Sequence, residues 1–361
     1  MYRILVINPG STSTKVALYE DEKECWNEGI SHDEAEIAKY PTIFSQLDMR
    51  YRTIEELFRK KGVSFQSLDC VVARGGLLPP VSSGAIRVNQ AMLETLIFHP
   101  MNHHASNLGA ALAYQIAEPL GLPCYIYDPV TVDEMLEVMR ITGLKEVKRF
   151  GQGHNLNMRA AALKFCQMRG MDYRHCNLLI AHLGGGITLS LHSDGRIIDM
   201  VSDDDGPFSP ERAGEIPTYK LVNLIFDRNL SRKETMNLLQ HNGGLKAHLG
   251  TTDAHAAEVA ARNGDKNAEL VLDALALNVA RCIAKLAVAV NGKVDAILLT
   301  GGIAYSEYIT GKIRDRVSFI AETVVLPGEN EMQALANGAM RVLAGVETAA
   351  EYHKEDMPCS L

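Results

Sequence analysis

Apolar residues along the chain form short runs that stop abruptly at turns rich in glycine and hydroxyl side chains. The first run, residues 2–7, leads into the polar segment NPGSTSTK at 8–15 and then into a second apolar run at 16–19. Apolar and polar positions alternate after the turn, which is typical of a strand. The pattern therefore predicts a β-hairpin at the start of the chain.

The same arrangement occurs twice more along the chain. Residues 178–183 form an apolar run that ends in the triple glycine 184–186, and an alternating strand is expected at 187–191. Residues 295–300 form a third apolar run, which ends in the glycine pair 301–302. Glycine makes such tight strand-end turns at little steric cost. The repetition predicts an α/β protein with two related halves.

The hydroxyl-rich turn at 8–15 suits a phosphate ligand. It gathers one glycine and four hydroxyl side chains in one small region, where backbone N–H and O–H groups can donate hydrogen bonds. Walker loops and dinucleotide-binding loops open a helix, whose N-terminus holds the phosphate, whereas a strand is predicted after this turn. Both of these common nucleotide motifs are therefore disfavoured.

Further elements follow from apolar periodicity. Helices are expected near 54–61, 105–117, 268–290 and 331–343, and strands at 70–73 and 124–127. The long apolar stretch 268–290 contains charged residues and is interpreted as a buried helix of the core, not a membrane span. The polar tail 347–361 is expected to be loose.

Composition narrows the class of protein. The chain has 361 residues, a net charge of −8 and seven cysteines without a CxxC pair. Its length predicts two domains. The acidic balance argues against a nucleic-acid partner, and scattered cysteines fit a cytoplasmic protein better than disulfides or zinc. No signal peptide is evident at the N-terminus.

Two charged residues lie at predicted strand ends. Arg74 follows the apolar run 70–73 and precedes two glycines, so it is a candidate clamp for a carboxylate or phosphate. Asp128 ends the run 124–127, where it could hold Mg²⁺ through water or fix an arginine. A surface arginine and a turn-capping aspartate are the simpler alternatives.

The histidines are weaker candidates when each is taken alone. His103 and His104 are adjacent, so their side chains diverge, and no partner follows at helical spacing to complete a metal pair. His154 begins a predicted helix, and His182 ends the strand before the triple glycine. Arg212 lies in the irregular loop 202–214, whose acidic run is either a solvated face or the setting of a second anion clamp.

Ten segments, spread over nearly the whole chain, resemble the acetate and butyrate kinase family in order and spacing. They are NPGSTSTK, VVARGG, HHASNLG, YDPVTVDEM, HNLN, AHLGGG, GPFSPERAGEIP, GGLKAHLGTTDA, DAILLTGGIAYS and GENEMQALANGA. The chain resembles the butyrate and branched-acid branch more closely, because acetate kinases are longer and carry a histidine-rich version of VVARGG.

The resemblance implies a fold and a domain division. The family has two ribonuclease H-like domains of the actin-like ATPase type with a nucleotide cleft between them. Residues 1–150 with a returning C-terminal helix in 332–361 are expected to form the acyl- and phosphate-binding domain. Residues 151–331 are expected to form the nucleotide-binding domain.

The resemblance also implies a role for each candidate residue. Contacts to nucleotide and phosphate are implied for Asn8, Ser11, Ser13, Lys15, His182, Gly184, Gly185, Gly186, Gly301, Gly302 and Ile303. The catalytic set is Arg74, Asp128, His154 and Arg212. The acyl carboxylate is expected at His104, Arg74 and Arg212, and the metal at Asn8, Asp128 and Glu331.

The implied reaction is the reversible transfer of a phosphoryl group from ATP, with Mg²⁺, to butyrate or a branched analogue. A fatty acid has a pKa of roughly 4 to 5 and needs no general base at neutral pH, so the site must mainly counter charge repulsion. Two alternatives stay open: a sugar kinase of the same superfamily with Asp128 as base, and a non-catalytic nucleotide switch like actin or the heat-shock chaperone ATPase. We also expect a homo-oligomer without a membrane partner.

Overall fold

A computed structural model describes residues 1–354 of the chain. The last part of the predicted polar tail, residues 355–361 with Cys359, lies outside the described residues. The chain divides into two compact units. The first contains Met1–Asp133 and the segment that begins at Asn330, and the second contains Glu134–Glu329.

The first unit is built on a seven-stranded sheet of order β12-β5-β6-β4-β1-β2-β3. Its strands are β1 (Arg3–Pro9), β2 (Ser13–Glu20), β3 (Lys23–Ser31), β4 (Cys70–Arg74), β5 (Ala85–Arg87), β6 (Cys124–Tyr127) and β12 (Ala350–Glu351). The first three strands are antiparallel neighbours, which confirms the predicted hairpin. Strands β1, β4 and β6 run parallel, so their carboxyl ends share one edge of the sheet.

Helices cover both faces of this sheet, as a parallel core requires. They are α1 (Glu34–Ile37), α2 (Leu47–Lys61), α3 (Gln90–Phe98), α4 (Leu108–Ala117) and α13 (Glu331–Leu343). Both α4 and α13 pack on β1, β4 and β6. Ile126 belongs to the apolar core shared with α4, whereas the ring of its neighbour Tyr127 lies against Gly338 of α13. Alternate residues of β6 therefore face different helices.

The second unit repeats the same strand order on a five-stranded sheet, β11-β10-β7-β8-β9. Its strands are β7 (Leu178–Leu183), β8 (Ile187–Ser193), β9 (Arg196–Val201), β10 (Ala296–Thr300) and β11 (Thr323–Val325). Strands β7, β8 and β9 are antiparallel, and β7, β10 and β11 are parallel. The order matches β6-β4-β1-β2-β3 of the first unit, so the two halves are related as the repeated pattern predicted.

The helices of the second unit follow the same logic. They are α5 (Glu137–Arg140), α6 (Asn155–Arg169), α7 (Thr218–Asp227), α8 (Arg232–His241), α9 (Gly244–Leu249), α10 (Ala254–Arg262), α11 (Lys266–Ala287) and α12 (Glu307–Val317). The long apolar stretch forms α11, whose buried face joins the main core with the sheet. No helix within residues 1–354 combines the length and apolar character that crossing a membrane demands.

Residues 134–150 pack with the second unit, although the sequence suggested a boundary near 150. The Leu136 N–H donates to the Ile198 carbonyl at 3.1 Å. Arg149 pairs with Asp199 at 3.1 Å and with Asp205 at 2.9 Å. This segment contains only one short helix, so its hydropathy pattern does not predict which unit it packs against.

The expectation that the tail is loose from residue 347 is wrong for its first part. Strand β12 pairs in parallel with β5. Glu347 accepts a hydrogen bond from the Tyr127 hydroxyl at 2.7 Å, and Tyr352 is only 4% exposed. The segment is ordered by polar contacts to distant residues, which its own composition does not reveal.

Candidate active site

Three of the predicted site residues lie where parallel strands of the first unit end. Asn8 is near the end of β1, Arg74 is the last residue of β4, and Asp128 follows β6. Ligands of open α/β sheets bind beyond the carboxyl ends of the strands. The topology thus brings these residues, which are far apart in sequence, to one edge.

Glu331 joins two of them. The Asn8 side-chain Nδ2 donates to Glu331 Oε2 at 2.7 Å, and the Arg74 guanidinium pairs with Glu331 Oε1. Glu331 is the first residue of α13, where the positive end of the helix dipole favours a carboxylate. The helix therefore carries an acidic group from near the end of the chain to the strand ends.

Close backbone packing fixes the segment around Arg74. A Cβ on Gly75 would lie 2.5 Å from Pro129 Cβ, and one on Gly109 would clash with the Arg74 carbonyl oxygen. His104 is near enough to feel Arg74, because burial first and the arginine's charge second lower the pKa of the His104 imidazole. His104 Nδ1 also bonds the Ser106 hydroxyl at 2.9 Å, which orients the ring.

Asp128 is 3% exposed and accepts a hydrogen bond from the Gly84 N–H at 2.6 Å. Its φ angle is 41°, a left-handed value that few residues other than glycine adopt. Aspartate and asparagine tolerate this region better than other residues with side chains, and they do so mainly in turns. The contact to Gly84 favours a role in fixing the turn after β6.

The N-terminal turn carries the remaining residues predicted in this unit. Ser11 is exposed and Ser13 half-buried at the start of β2, and Lys15 projects from an exposed position of the same strand. The Gly10 N–H donates to the Ser13 carbonyl at 2.7 Å and closes the turn.

Two predicted histidines of the second unit stack on each other. The rings of His154 and His182 lie 3.8 Å apart between centroids, at an interplanar angle of 10°. His154 Nδ1 bonds the Thr188 hydroxyl at 3.0 Å. The Asn157 amide donates to His182 Nδ1 at 2.8 Å, which leaves the proton on His182 Nε2, 3.1 Å from Glu329 Oε1.

The triple glycine lets these groups approach the strand end. A Cβ on Gly186 would lie 2.6 Å from Arg212 Nη1 and 3.3 Å from His154 Cε1. A Cβ on Gly184 would lie 2.7 Å from His182 Nε2. The guanidinium of Arg212 pairs with Asp203. Arg212, His154 and His182 thus converge on the turn between β7 and β8.

A cavity of about 600 Å³ adjoins this turn. The predicted residues Gly184, Gly185, Gly302 and Ile303 line it, together with Asp253 and Ser306. Gly301 has a φ of 90° and lies against the Leu183 backbone, so it turns the chain sharply from β10 into the cavity wall. The cavity is large enough for a small-molecule ligand.

Several residues of this site were not predicted. Asn157 bonds His182 Nδ1, Glu329 Oε1 lies 3.1 Å from His182 Nε2, and Asp203 pairs with Arg212. Asp203 belongs to the acidic run considered as a possible solvated face, and Glu329 stands two positions before Glu331 in GENEMQALANGA. The cavity residues at 252–254 lie in GGLKAHLGTTDA, a segment to which the sequence assigned no role.

No cluster of three or more histidine, cysteine, aspartate or glutamate side chains within residues 1–354 forms a ready metal cage. The arrangement provides guanidinium, imidazole and backbone N–H groups next to a small number of carboxylates. Such a set favours binding of anions and of a metal that arrives with phosphates.

Comparisons with known proteins identify the family of the chain. The sequence pattern of the Acetokinase family matches residues 143–339. The chain is 45% identical to Butyrate kinase 1 of Clostridium acetobutylicum over 354 residues, which covers 98% of this chain and 100% of that protein. The chain therefore belongs to the acetokinase family.

Solved structures support the fold. An acetate kinase from Porphyromonas gingivalis superposes with a TM-score of 0.80 at 18% identity, over 95% of this chain and 100% of that one. A propionate kinase from Francisella tularensis superposes with a TM-score of 0.75 at 18% identity, over 94% and 99%. The chain has the mixed α/β fold of these kinases, with two actin-like ATPase domains.

Proposed function

We propose that the chain is a butyrate kinase, which transfers the γ-phosphoryl group of ATP to butyrate or a branched analogue. The full-length similarity to a butyrate kinase carries the proposal, because it spans both units at 45% identity. The forward reaction forms a bond between a carboxylate oxygen and the γ-phosphorus. ADP leaves with the electrons of the broken bond, and the reverse reaction makes ATP.

The side chains at the strand ends suit this chemistry. A carboxylate is already deprotonated at neutral pH, so catalysis requires positioning and charge stabilisation more than proton removal. Arg74 and Arg212 offer planar paired donors for carboxylate and phosphoryl oxygens. The stacked His154 and His182 add directed ring nitrogens beside the triple glycine.

In the second unit, the cavity beside Gly302 and Ile303 is our candidate for the nucleoside, and the triple glycine for its phosphates. In the first unit, Ser11, Ser13 and Lys15 supply donors at the turn, and His104 with Arg74 is assigned to the acyl carboxylate. These assignments rest on the family pattern and on the groups that each residue presents.

Mg²⁺ fits the donor set around Glu331. The Asn8 Nδ2 group donates to Glu331, which leaves the Asn8 amide oxygen and the Glu331 carboxylate as oxygen ligands of the kind that Mg²⁺ prefers. Asp128 is the third proposed member, although its hydrogen bond to Gly84 favours an indirect contribution. The bound ion would neutralise charge on the phosphoryl oxygens.

Trapping of the acyl phosphate with hydroxylamine tests the proposal. The chain is incubated with ATP, Mg²⁺ and acids of two to six carbons, and the acyl hydroxamate is quantified. We expect hydroxamate only when acid and ATP are both present, with most product from four-carbon acids. Arg74→Ala and Arg74→Lys should both abolish the product, because an ammonium cannot supply two parallel donors.

The alternatives predict other results. A sugar kinase would release ADP with sugars, with a pH profile that reports a base. A nucleotide switch would bind ATP without acid-dependent turnover. Either result, in the absence of hydroxamate, would contradict the butyrate kinase proposal.

We also propose a homo-oligomer in the cytoplasm. Helices α7 and α8 contain no buried residue, and Tyr219 and Phe226 of α7 are 86% and 74% exposed. Exposed aromatic side chains of this kind mark contact surfaces. Among the described residues the cysteines are free thiols, which fits a reducing compartment. Analytical ultracentrifugation of the chain and of Tyr219→Glu tests the assembly.

A further inference from the structure

A fully buried arginine lies beneath the N-terminal turn of the first unit. Arg50, on the first turns of α2, has an exposed fraction of 0%. Its Nη1 donates to the Gly10 carbonyl at 2.9 Å and to the Ser13 carbonyl at 3.1 Å, and its Nη2 donates to the Ser11 carbonyl at 3.1 Å. The guanidinium therefore gathers three carbonyl groups of the turn.

The other partners of Arg50 are also neutral. The Thr14 hydroxyl accepts from Nη1 at 3.0 Å, and the Gln46 side-chain oxygen accepts from Nε and Nη2 at 3.2 and 3.0 Å. Within residues 1–354, no carboxylate lies within ion-pair distance of Arg50. Burial lowers the pKa of the guanidinium, as expected for a cation without a counter-ion. Buried charges are normally paired, so the position of the Arg50 guanidinium without a carboxylate requires an explanation.

The geometry of the turn supplies the reason. In a trans peptide the C=O group and the following N–H point in opposite directions. Because the Gly10 and Ser11 carbonyls face the guanidinium, the N–H groups of Ser11 and Thr12 face away from it. Among the described residues, neither N–H has an acceptor, and both residues are exposed. Two neighbouring free N–H groups form a site for an anion.

His32 secures the other side of the turn. Its N–H donates to the Thr12 carbonyl at 2.8 Å, and its Nε2 bonds the Thr14 hydroxyl at 2.8 Å. All the turn carbonyls that could repel an anion thus have donors behind them.

We propose that Arg50 is a positioning residue, which holds the turn carbonyls inward so that the Ser11 and Thr12 N–H groups face a nucleotide phosphoryl group. The inference rests on the proposed nucleotide role of the turn. Arg50 does not touch the ligand, and its buried positive charge adds to the attraction that the two N–H groups exert on a phosphate.

Two substitutions separate the effect of the planar guanidinium group from the effect of its positive charge. Arg50→Lys keeps a cation but lacks the planar fork of five donors that bonds three carbonyls, the Thr14 hydroxyl and the Gln46 side chain together, and Arg50→Met removes both properties. Arg52→Met is the matched control, because Arg52 is exposed on the same helix. Ile54→Ala is the stability control, because Ile54 is fully buried in the same helix and belongs to the apolar core of the unit.

The measurement is the dissociation constant of ADP by calorimetry, with the ¹⁵N amide signals of Ser11 and Thr12 as a structural readout. In the unmodified chain and in both controls, ADP should shift these two signals. We expect Arg50→Lys to weaken ADP binding at least tenfold and to reduce both shifts, with the KM for the carboxylate changed less than twofold. Arg50→Met should weaken ADP binding further than Arg50→Lys does. If Arg50→Met does not fold, the result for Arg50→Lys alone tests the inference.

Several outcomes would overturn the inference. ADP affinity within twofold of normal in Arg50→Lys would show that the fork is not required. An equal loss in Ile54→Ala would show that helix stability, not the guanidinium, controls the turn. Failure of the unmodified chain to bind ADP would remove the proposed function and this inference together, whereas normal binding there isolates the role of Arg50.

Discussion

A single methyl group added at Gly186 should lower the rate of acyl phosphate formation without unfolding the second unit. The Cβ of Gly186→Ala would lie 2.6 Å from Arg212 Nη1 and 3.0 Å from Arg212 Cζ. To reach ordinary contact at 3.4 Å, the guanidinium must retreat by roughly 0.8 Å. The obstructed atoms are the far end of a flexible side chain, so the strand and the core can stay as they are.

A shift of this size matters more for rate than for stability. Misplacement of a catalytic group by about 1 Å can lower a rate about a hundredfold, or about 2.7 kcal/mol in activation free energy. The shift also weakens the pairing of Arg212 with Asp203 and crowds His154. We therefore expect kcat for acyl phosphate formation to fall between about tenfold and a hundredfold, while the midpoint of urea unfolding changes little.

Two other glycines provide controls. A Cβ on Gly185 meets no atom within 4 Å, yet Gly185 lines the cavity, so Gly185→Ala should raise the KM for ATP and spare kcat. Gly143 is exposed and equally unobstructed, so Gly143→Ala should behave like the unmodified chain. If Gly186→Ala retained kcat within twofold, Arg212 would not act at the position in which the structure holds it.

Four further predictions concern stability, metal and substrate. Gly338→Ala places a Cβ 2.5 Å from the Tyr127 ring and should cost about 1–3 kcal/mol in urea unfolding, whereas Gly311→Ala, with only Arg314 Nη2 near at 3.8 Å, should be neutral or stabilising. Burial lowers the pKa of His192 to about 3, so the unfolded chain binds the additional proton below pH 6.5. Stability should therefore fall with pH from 6.5 toward 3, by up to about 1.4 kcal/mol per unit, and His192→Gln should flatten that slope in urea titrations at pH 5 and 7. Glu331→Ala should raise the Mg²⁺ concentration for half-maximal activity about tenfold, with a smaller change in ADP affinity. Glu331→Gln keeps one oxygen acceptor, so its Mg²⁺ requirement should lie between those of Glu331→Ala and the unmodified chain. An unchanged Mg²⁺ titration would remove Glu331 from the metal site. Butyrate has two methylenes more than acetate, and their burial is worth about 1.6 kcal/mol. The kcat/KM for butyrate should therefore exceed that for acetate by about fifteenfold. Equal use of the two acids would place the chain outside the butyrate branch.

Helices and strands with apolar faces were predicted from the sequence, whereas strands made mainly of polar or exposed residues were not. The hairpins, the long helix α11 and the closing helix α13 follow from runs and periodicity that burial imposes. Strand β3 was not predicted, because most of its residues are exposed or half-buried and carry polar side chains. The pairing of β12 was missed for a similar reason, since two exposed residues make it.

The same distinction separates the predicted site residues from those that were missed. Arg74 and Arg212 were predicted because they stand beside glycines at strand ends or in irregular loops. Arg50 was not, because an arginine in an amphipathic helix resembles any solvated residue, and its partners are carbonyl groups that no sequence pattern displays. Residues that orient others through the backbone are therefore the hardest to predict from sequence.

The arginines that we propose for anion binding in this acidic chain are of two kinds. Each clamp arginine pairs with a carboxylate of its own unit, Arg74 with Glu331 and Arg212 with Asp203. These pairs are partly exposed, so a carboxylate or phosphoryl oxygen can take the place of the acid at modest cost. Within residues 1–354, Arg50 has no carboxylate to exchange, and its side chain is fully buried. We therefore expect the charge of Arg50 to act through the turn that it holds, whereas Arg74 and Arg212, each in its own unit, are expected to exchange their carboxylate partner for a ligand.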